Sequence, residues 1–254
     1  MLLTVDMGNT NITLGVFEGE SLLFESRIAT DMSKMRDQYA VELSDILRLY
    51  HVDVKSLEGA IVSSVVPSLD QSLKEAIFMV TGLRPLFVGP GLKTGMNILI
   101  DNPAQLGADI LVGAVAAANT YGTPCIIWDL GTATTVSAVS ATGDFLGVSI
   151  MAGVHTSLEA LVSKTSLLPN IRLEAPVKVI GKNTIHSMQS GIVYSTAAMV
   201  DGMTERVKKE LSHSAKVVMT GGFGKVIAPY CETNAIYDDK LILNGLRFLY
   251  EKNK

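Results

Sequence analysis

The sequence has few of the residues that mark secreted, metal-binding or nucleic-acid-binding proteins. Only two of its 254 residues are cysteine, Cys125 and Cys231, and only four are histidine. That usage builds neither a disulfide framework nor a zinc site and suits a reducing compartment. The 21 basic and 25 acidic residues are interspersed and give a net charge of −4. Without a basic run, the chain is not expected to have a nucleic-acid partner.

Long apolar runs and targeting signals are also missing. The longest stretch of low charge, residues 110–127, is interrupted by glycine, asparagine and proline, which argues against a membrane span. The first residues lead directly into Asp6 without the basic flank and cleavage site of a signal peptide. We therefore expect a soluble, cytoplasmic protein without a membrane partner. Hydrophobic residues make up 48% of the chain, which is ample for the cores of two domains.

An internal repeat is the strongest pattern in the sequence. Residues 2–13 can be laid without a gap over residues 125–136, which matches Asp6 with Asp129 and Thr13 with Val136. Each copy is an apolar run, then Asp-x-Gly, then small hydroxyl or amide residues, then a second run that favours a β-strand. Because the two copies share this order, we expect each to begin a structurally similar half.

The rest of each half continues the parallel. Helical periodicity is predicted near residues 38–50 and 70–80 in the first half and near 184–211 and 241–251 in the second. With the intervening β-rich segments, each half follows a β-β-β-α-β-α-β order. We therefore predict an α/β protein with two mixed sheets flanked by helices, divided into residues 1–121 and 122–254. The two Asp-x-Gly turns are expected to face each other across a cleft.

An Asp-x-Gly turn after a buried strand suits phosphate chemistry. Gly8 is expected to take a φ that other residues avoid and to let the backbone approach an anion. The amides and polar side chains of Asn9, Thr10 and Asn11 would face the phosphate oxygens, and Asp6 would bind Mg²⁺. A single Asp-x-Gly is equally well explained as a common tight turn. Two copies in matched settings favour the phosphate interpretation.

The second half offers a further glycine turn. Residues 220–224, Thr-Gly-Gly-Phe-Gly, follow a predicted strand and open a short helix. Such a turn can accept a nucleoside against bare backbone, although any strand-to-helix turn can carry two glycines. Its position in the second half favours the nucleotide interpretation.

Asp109 is the only ionisable residue between positions 108 and 119, in a segment rich in glycine and alanine. A lone carboxylate on a closely packed helix is costly unless it has a partner or a task. The alternative is an acid at a helix start, favoured by the helix dipole. Asn102 and Pro103 form a good cap and first-turn pair. A helix beginning at Pro103 would place Asp109 beyond its first turn. The charge-poor region 107–118, together with neighbouring helices of the second half, also predicts a buried dimer surface.

Taken together, these motifs resemble those of the type III pantothenate kinases, in the acetate and sugar kinase, heat-shock chaperone and actin superfamily. The resemblance extends from Leu3 to about Tyr250. It implies two ribonuclease H-like domains and a homodimer with active sites near the subunit interface. It also implies ATP-dependent phosphorylation of the primary hydroxyl of pantothenate to 4′-phosphopantothenate, the first step of coenzyme A biosynthesis.

The same resemblance implies a role for individual residues. Asp109 would accept the proton of the substrate hydroxyl, and Asp129 would bind a monovalent cation, potassium or ammonium. Thr132 would contact ATP, and Asp6 would lie near the Mg²⁺ that accompanies ATP. The ATP phosphates would be held by Asp6, Met7, Gly8, Asn9, Thr10, Asn11, Ile12 and Thr13. Pantothenate would be contacted by Gly107, Ala108, Asp109, Ile110 and Thr184.

Three positions depart from the family pattern. Ile110 stands where members often carry an arginine next to the catalytic aspartate, which leaves recognition of the substrate carboxylate to another donor, such as Lys164, Lys182 or a partner residue. Ile100 replaces a tyrosine, and Ala152 replaces the proline of a Pro-Gly pair. Two alternatives stay open from the sequence. One is an actin-like kinase of another small hydroxylated substrate, and the other is a nucleotide-binding regulatory protein that has lost catalysis.

Overall fold

The computed structural model describes all 254 residues and divides into two compact units. The first unit comprises Met1–Gly95, Asn102–Ala116 and Leu241–Lys254, and the second comprises Met96–Asp101 and Ala117–Lys240. Packing therefore places the C-terminal segment with the beginning of the chain. The predicted division of the repeat into residues 1–121 and 122–254 stays a prediction.

The first unit is built on a five-stranded mixed sheet with the strand order β3-β2-β1-β4-β5. Its strands are β1 (Leu2–Met7), β2 (Asn11–Glu18), β3 (Ser21–Ala29), β4 (Gly59–Ser64) and β5 (Leu86–Phe87). The hairpin strands pair antiparallel, whereas β4 pairs parallel with both β1 and β5. Its helices are α1 (Arg36–Leu49) and α2 (Pro67–Thr81), and a 3₁₀ turn covers Val54–Ser56. Both helices lie within a few residues of their predicted positions.

The second unit repeats this sheet. Its strands are β6 (Cys125–Leu130), β7 (Ala133–Val139), β8 (Phe145–Ala152), β9 (Lys216–Thr220) and β10 (Ile236–Tyr237). They follow the order β10-β9-β6-β7-β8, with antiparallel β6-β7-β8 and parallel β6-β9-β10 pairs. The two sheets thus have the same order and the same strand directions, which confirms the predicted α/β repeat. The remaining helices are α3 (Ala108–Tyr121), α4 (Val154–Ser163), α5 (Thr184–Glu210), α6 (Gly224–Ile227) and α7 (Leu241–Asn253).

The C-terminal helix α7 covers the first sheet. Its buried side includes Leu243 and Leu246, and Gly15 of β2 leaves room for Leu243. A β-carbon at Gly59 of β4 would overlap the Tyr250 side chain. Two bare glycines in the sheet therefore let α7 pack closely, which explains why the last residues of the chain belong to the first unit.

Helix α3 also packs against α7. Val112, Ala114 and Ala116 are fully buried, and a β-carbon at Gly245 of α7 would overlap Val112. The charge-poor region is therefore apolar because it is buried within a single chain. Residues 111–117 are covered within the chain while residues 107–110 and 118 are half-buried, and the prediction that this region takes part in a dimer surface stays a prediction.

Helix α4 is not predicted by the sequence pattern. Its first residue follows Gly153, which supplies no side-chain cap, and it carries histidine, serine and threonine, which favour helices weakly. Val154 and Leu158 are buried in the core of the second unit. Tertiary packing therefore determines this helix more than local preference does. Among the helices, none is both long and apolar enough to cross a membrane.

Candidate active site

Asp6 and Asp129 occupy equivalent places in the two sheets. Asp6 is the penultimate residue of β1 and lies opposite Thr13 of β2 and Ser63 of β4. Asp129 is the penultimate residue of β6, between Thr135 on β7 and Thr220 on β9. Both carboxylates therefore stand where the hairpin half of a sheet meets its parallel half, and both are half-buried.

The two loops differ in length by one residue. In the first, the Gly8 N–H donates to the Asn11 carbonyl at 2.9 Å, and in the second the Gly131 N–H donates to the Ala133 carbonyl at 3.1 Å. The predicted gapless overlay is therefore correct up to the glycine and wrong after it. The strand register matches Thr13 with Thr135 and not with Val136. This shift of one residue could not be seen in the sequence, because the two β-prone runs are similar.

Position 8 requires a glycine because a side chain would crowd the turn, and not because of its φ. Gly8 is not among the residues in the left-handed region, which corrects the conformational reason predicted for it. A β-carbon at this position would stand 3.2 Å from the Asn11 carbonyl oxygen. This close approach tightens the turn, and the Gly8 N–H is already used inside the loop.

The predicted ATP-binding residues of the first hairpin divide into two groups. Asn9, Thr10 and Asn11 are exposed and can present polar atoms to a ligand. Met7 and Ile12 are fully buried, so any contact they make with a nucleotide must come from their backbone.

Asp109 lies in the first turn of α3. A 3₁₀ turn at Pro103–Gln105, capped by the Asn102 side chain, precedes the helix. The predicted cap pair is thus correct, but it begins the 3₁₀ turn and not the α-helix. Asp109 consequently does not lie beyond the first turn, and the helix-start interpretation keeps its geometric basis.

The electrostatics of Asp109 speak against a role limited to the helix start. Burial raises the pKa of its carboxyl, although backbone N–H groups, including that of Ile110 at 2.8 Å from Oδ1, act in the opposite direction. A carboxylate that simply stabilises a helix start should have a lowered pKa. A β-carbon at Gly107 would stand 2.6 Å from Oδ1, so Gly107 makes the space that this carboxylate occupies. A raised pKa of this kind is typical of a group that accepts a proton in a reaction.

Backbone without a side chain lies against Asp129 on one side. A β-carbon at Gly221 would stand 2.5 Å from Asp129 Oδ1, and one at Gly131 would stand 3.5 Å from it. Gly221 has φ +91°, and the Phe223 N–H donates to the Leu130 carbonyl at 3.2 Å. As predicted, residues 220–224 turn from β9 into α6, and the structure presses this turn against Asp129. On this side the carboxylate therefore faces backbone and not a side chain.

Thr132 is exposed in the second loop and is held through its carbonyl. The Thr156 hydroxyl donates to that oxygen at 2.8 Å, and a β-carbon at Gly153 would overlap it. Gly153 is therefore required for α4 to approach this loop, which explains the glycine after Ala152.

The remaining candidates lie at helix ends. Thr184 is the exposed first residue of α5, and the side chain of Asn183 caps this helix by accepting the His186 N–H at 2.8 Å. Ile110 is half-buried, and Lys164 and Lys182 are both exposed. Thr184 and Lys182 therefore flank the cap of α5.

Across the chain, no three His, Cys, Asp or Glu side chains gather in a way that could hold a metal ion by themselves. Magnesium in kinases usually keeps several waters and binds through one or two carboxylates together with substrate phosphates. A single carboxylate at the end of β1, beside an exposed polar loop, fits that kind of site.

The structure groups the predicted residues into four local sets. Residues 6–13 form one hairpin and residues 107–110 form one helix start, both in the first unit. Asp129 and Thr132 share a hairpin of the second unit, and Thr184 begins a helix there. Thr30, Gly153 and Thr156 contact the loops but belong to none of the predicted sets, because no local motif marks them.

Comparison with known proteins identifies the family. Residues 2–206 match the family model for type III pantothenate kinase. The type III pantothenate kinase of Geotalea daltonii is 42% identical over the whole chain and 99% of its own length, and that of Moorella thermoacetica is 43% identical over the full length of both. The (R)-2-hydroxyglutaryl-CoA dehydratase component A of Acidaminococcus fermentans shares the fold, with a TM-score of 0.59, 15% identity and coverage of 98% of this chain and 96% of that one. The chain belongs to the type III pantothenate kinase family.

Proposed function

We propose that the protein transfers the γ-phosphoryl group of ATP to the primary hydroxyl of pantothenate and forms 4′-phosphopantothenate. The observation that carries the proposal is the half-buried Asp109 carboxylate, whose pKa is raised by burial, in a chain with full-length relatives named pantothenate kinases. In coenzyme A biosynthesis this reaction is the first step.

Asp109 acts as the general base. The substrate hydroxyl gives its proton to the Asp109 carboxylate while its oxygen forms a bond to the γ-phosphorus. The bond from that phosphorus to the β,γ-bridging oxygen breaks, and ADP leaves with the electron pair. Since phosphoryl transfer needs mainly positioning and charge neutralisation, a single base is sufficient on the protein side.

The first hairpin holds the ATP phosphates. Asn9, Thr10 and Asn11 contribute their exposed polar groups, while the buried Met7 and Ile12 contribute backbone only. Asp6 binds the magnesium that accompanies the triphosphate and neutralises its charge. Thr13 completes the set from β2, and Thr132 contacts ATP from the second hairpin.

Asp129 binds a potassium or ammonium ion. The support is the position of Asp129 at the end of β6, where the backbone of the glycine turn at residues 220–224 lies against its Oδ1 atom. A carboxylate next to a triphosphate would be repelled without a counter-ion, so an extra cation lowers the cost of binding ATP.

Pantothenate lies against Gly107, Ala108 and Ile110 and contacts Thr184. Ile110 cannot pair with the substrate carboxylate, so another donor must do so. Lys182 is the better candidate of the two exposed lysines, because it lies two residues before Thr184 at the start of α5.

The protein works as a homodimer in the cytoplasm. The second unit exposes aliphatic side chains that water would disfavour, with exposed fractions of 90% at Leu167, 98% at Val177 and 82% at Ile180. Such a surface is characteristic of an interface, and we assign it to a second copy of the chain. The two cysteines form no disulfide, as suits a reducing compartment.

The alternatives from the sequence have less support. A kinase of another hydroxylated substrate and a regulatory protein without catalysis both share the fold, but the full-length relatives are named pantothenate kinases. The three aspartates, Asp6, Asp109 and Asp129, supply the carboxylates that a kinase reaction needs.

Detection of phosphopantothenate by mass spectrometry, after incubation of the protein with ATP, magnesium, potassium and pantothenate, tests the proposal. We expect product from the wild-type protein and about 10²–10⁴-fold slower formation by Asp109→Asn. ATP consumption with a sugar but not with pantothenate would favour another substrate. Nucleotide binding without turnover of any acceptor in a panel of alcohols would favour the regulatory alternative.

A further inference from the structure

Two threonine hydroxyls hold the Asp-x-Gly loops from outside the motifs. Thr30, directly after β3, donates from Oγ1 to the Gly8 carbonyl at 2.7 Å, and its N–H donates to the Thr10 carbonyl at 2.9 Å. In the second unit, the Thr156 hydroxyl donates to the Thr132 carbonyl at 2.8 Å. Each loop thus has one carbonyl fixed by a threonine that is distant in sequence.

Fixing the Gly8 carbonyl also fixes the neighbouring amide. A peptide group is planar, so the direction of the Gly8 C=O sets the opposite direction of the Asn9 N–H. That N–H forms no hydrogen bond within the protein, and Asn9 is exposed. A backbone donor with a fixed direction and no internal acceptor is suited to bind an anion.

The second loop is held by a different residue in a different element. Thr156 belongs to the first turn of α4, which can reach Thr132 only because Gly153 has no side chain. The bond fixes the peptide between Thr132 and Ala133, where the loop joins β7. Thr30 thus reaches its loop from directly after β3, whereas Thr156 reaches its loop from the start of α4, after β8.

We propose that Thr30 and Thr156 are positioning residues that hold the two loops in the form that receives the phosphates of a nucleotide. Neither side chain contacts the nucleotide in this proposal. Without the hydroxyl, the loop would sample other peptide orientations, and ordering it on binding would reduce the affinity. The proposal rests on the proposed function only in requiring that the ligand be a nucleoside triphosphate.

Isosteric substitutions separate this role from packing. Thr30→Val keeps the size of the side chain and the backbone N–H bond but removes the hydroxyl, whereas Thr30→Ser keeps the hydroxyl. Loss of one hydrogen bond should raise the KM for MgATP and the Kd of a non-hydrolysable ATP analogue about threefold to tenfold. Thr30→Ser should stay within about twofold of wild type, because its hydroxyl can still hold Gly8. Thr156→Val is expected to act in the same direction, and the Kd of AMP should not change in any variant.

Thr81→Val is the matched control. The Thr81 hydroxyl also donates to a backbone carbonyl, that of Ile77, at 2.7 Å, in a half-buried position at the end of α2. Thr81→Val should lower the Tm without changing the affinity for the ATP analogue. The proposal is overturned if Thr30→Val binds the analogue like wild type, if Thr30→Ser loses as much affinity as Thr30→Val, or if Thr81→Val loses as much affinity as Thr30→Val.

Measuring the binding of the ATP analogue distinguishes a failure of the proposed function from a failure of the positioning role of Thr30 and Thr156. If the wild-type protein binds the ATP analogue but phosphorylates no pantothenate, the proposed function fails while the affinities of the threonine variants still decide the role of these residues. If the wild-type protein does not bind the analogue, both proposals are overturned.

Discussion

Gly221 lies directly against the carboxylate of Asp129, so closely that a β-carbon on the glycine would stand 2.5 Å from Oδ1. It would also stand 2.6 Å from backbone atoms of Leu130. The turn after β9 and the end of β6 are therefore packed without side chains between them, and Asp129 faces backbone on this side.

Gly221→Ala should be poorly tolerated, because it combines this overlap with a φ of +91°. The positive φ alone costs about 1–3 kcal/mol in a non-glycine residue, so we expect a Tm lower by several degrees and weaker activation by potassium. Gly222→Ala is the control, since nothing lies within 4 Å of a β-carbon there and its φ is not in the left-handed region. Equal Tm values for the two variants would show that the contact with Asp129 is not tight.

Asp109→Asn should stabilise the protein at neutral pH while it inactivates the enzyme. The pKa of Asp109 is raised in the folded state from its ordinary value of 3.8, so the ionised carboxylate is disfavoured by folding. This cost is fully present above the folded pKa and is lost as the pH falls toward 3.8. The advantage of asparagine, measured by denaturant unfolding between pH 7 and pH 4, should therefore shrink as the pH falls. An advantage that is constant across this range would contradict the raised pKa.

Activity should depend on a small monovalent cation. Replacing potassium by tetramethylammonium at constant ionic strength should abolish most phosphopantothenate formation, because the organic cation does not fit beside Asp129. Asp129→Asn should be slow in either salt. Undiminished turnover of the wild-type protein in tetramethylammonium would contradict the assignment of Asp129 as the ligand of a monovalent cation.

Lys182 is expected to recognise the substrate carboxylate. Lys182→Met should raise the KM for pantothenate about 10–100-fold, the equivalent of one charge-assisted bond of about 1.5–3 kcal/mol. The KM for an uncharged pantothenamide should not change. Lys178→Met serves as the control, because Lys178 is exposed in the same segment. If Lys164→Met instead shows the selective loss, that lysine is the donor.

The exposed aliphatic surface of the second unit should mediate dimerisation. Ile180→Asp places a charge where 82% of the side chain is exposed. Light scattering should therefore show a monomer in place of a dimer, and the substitution should not lower the Tm of the single folded chain. Val41→Asp introduces the same charge at a residue of α1 that is 61% exposed and should leave the dimer intact. A wild-type monomer with full activity would contradict the assignment.

The repeat and its chemistry were predictable from local patterns. Asp6 and Asp129 follow apolar runs with the same spacing, so the β-strand, the turn and the position of each carboxylate could be inferred from neighbouring residues. The long helices α1, α2, α5 and α7 could be inferred because hydrophobic periodicity over three or more turns is a strong local signal.

What the sequence determined by itself is therefore local: strands, turns and the order of the aspartates. Tertiary structure alone decided that α7 covers the first sheet and buries α3, that α4 forms beside Gly153, and that Gly221 contacts Asp129. These features depend on residues far apart in the chain, where a missing side chain at one position makes room for a group at another. The raised pKa of Asp109 has the same origin, because desolvation is produced by whatever packs around the carboxylate and not by its neighbours in sequence.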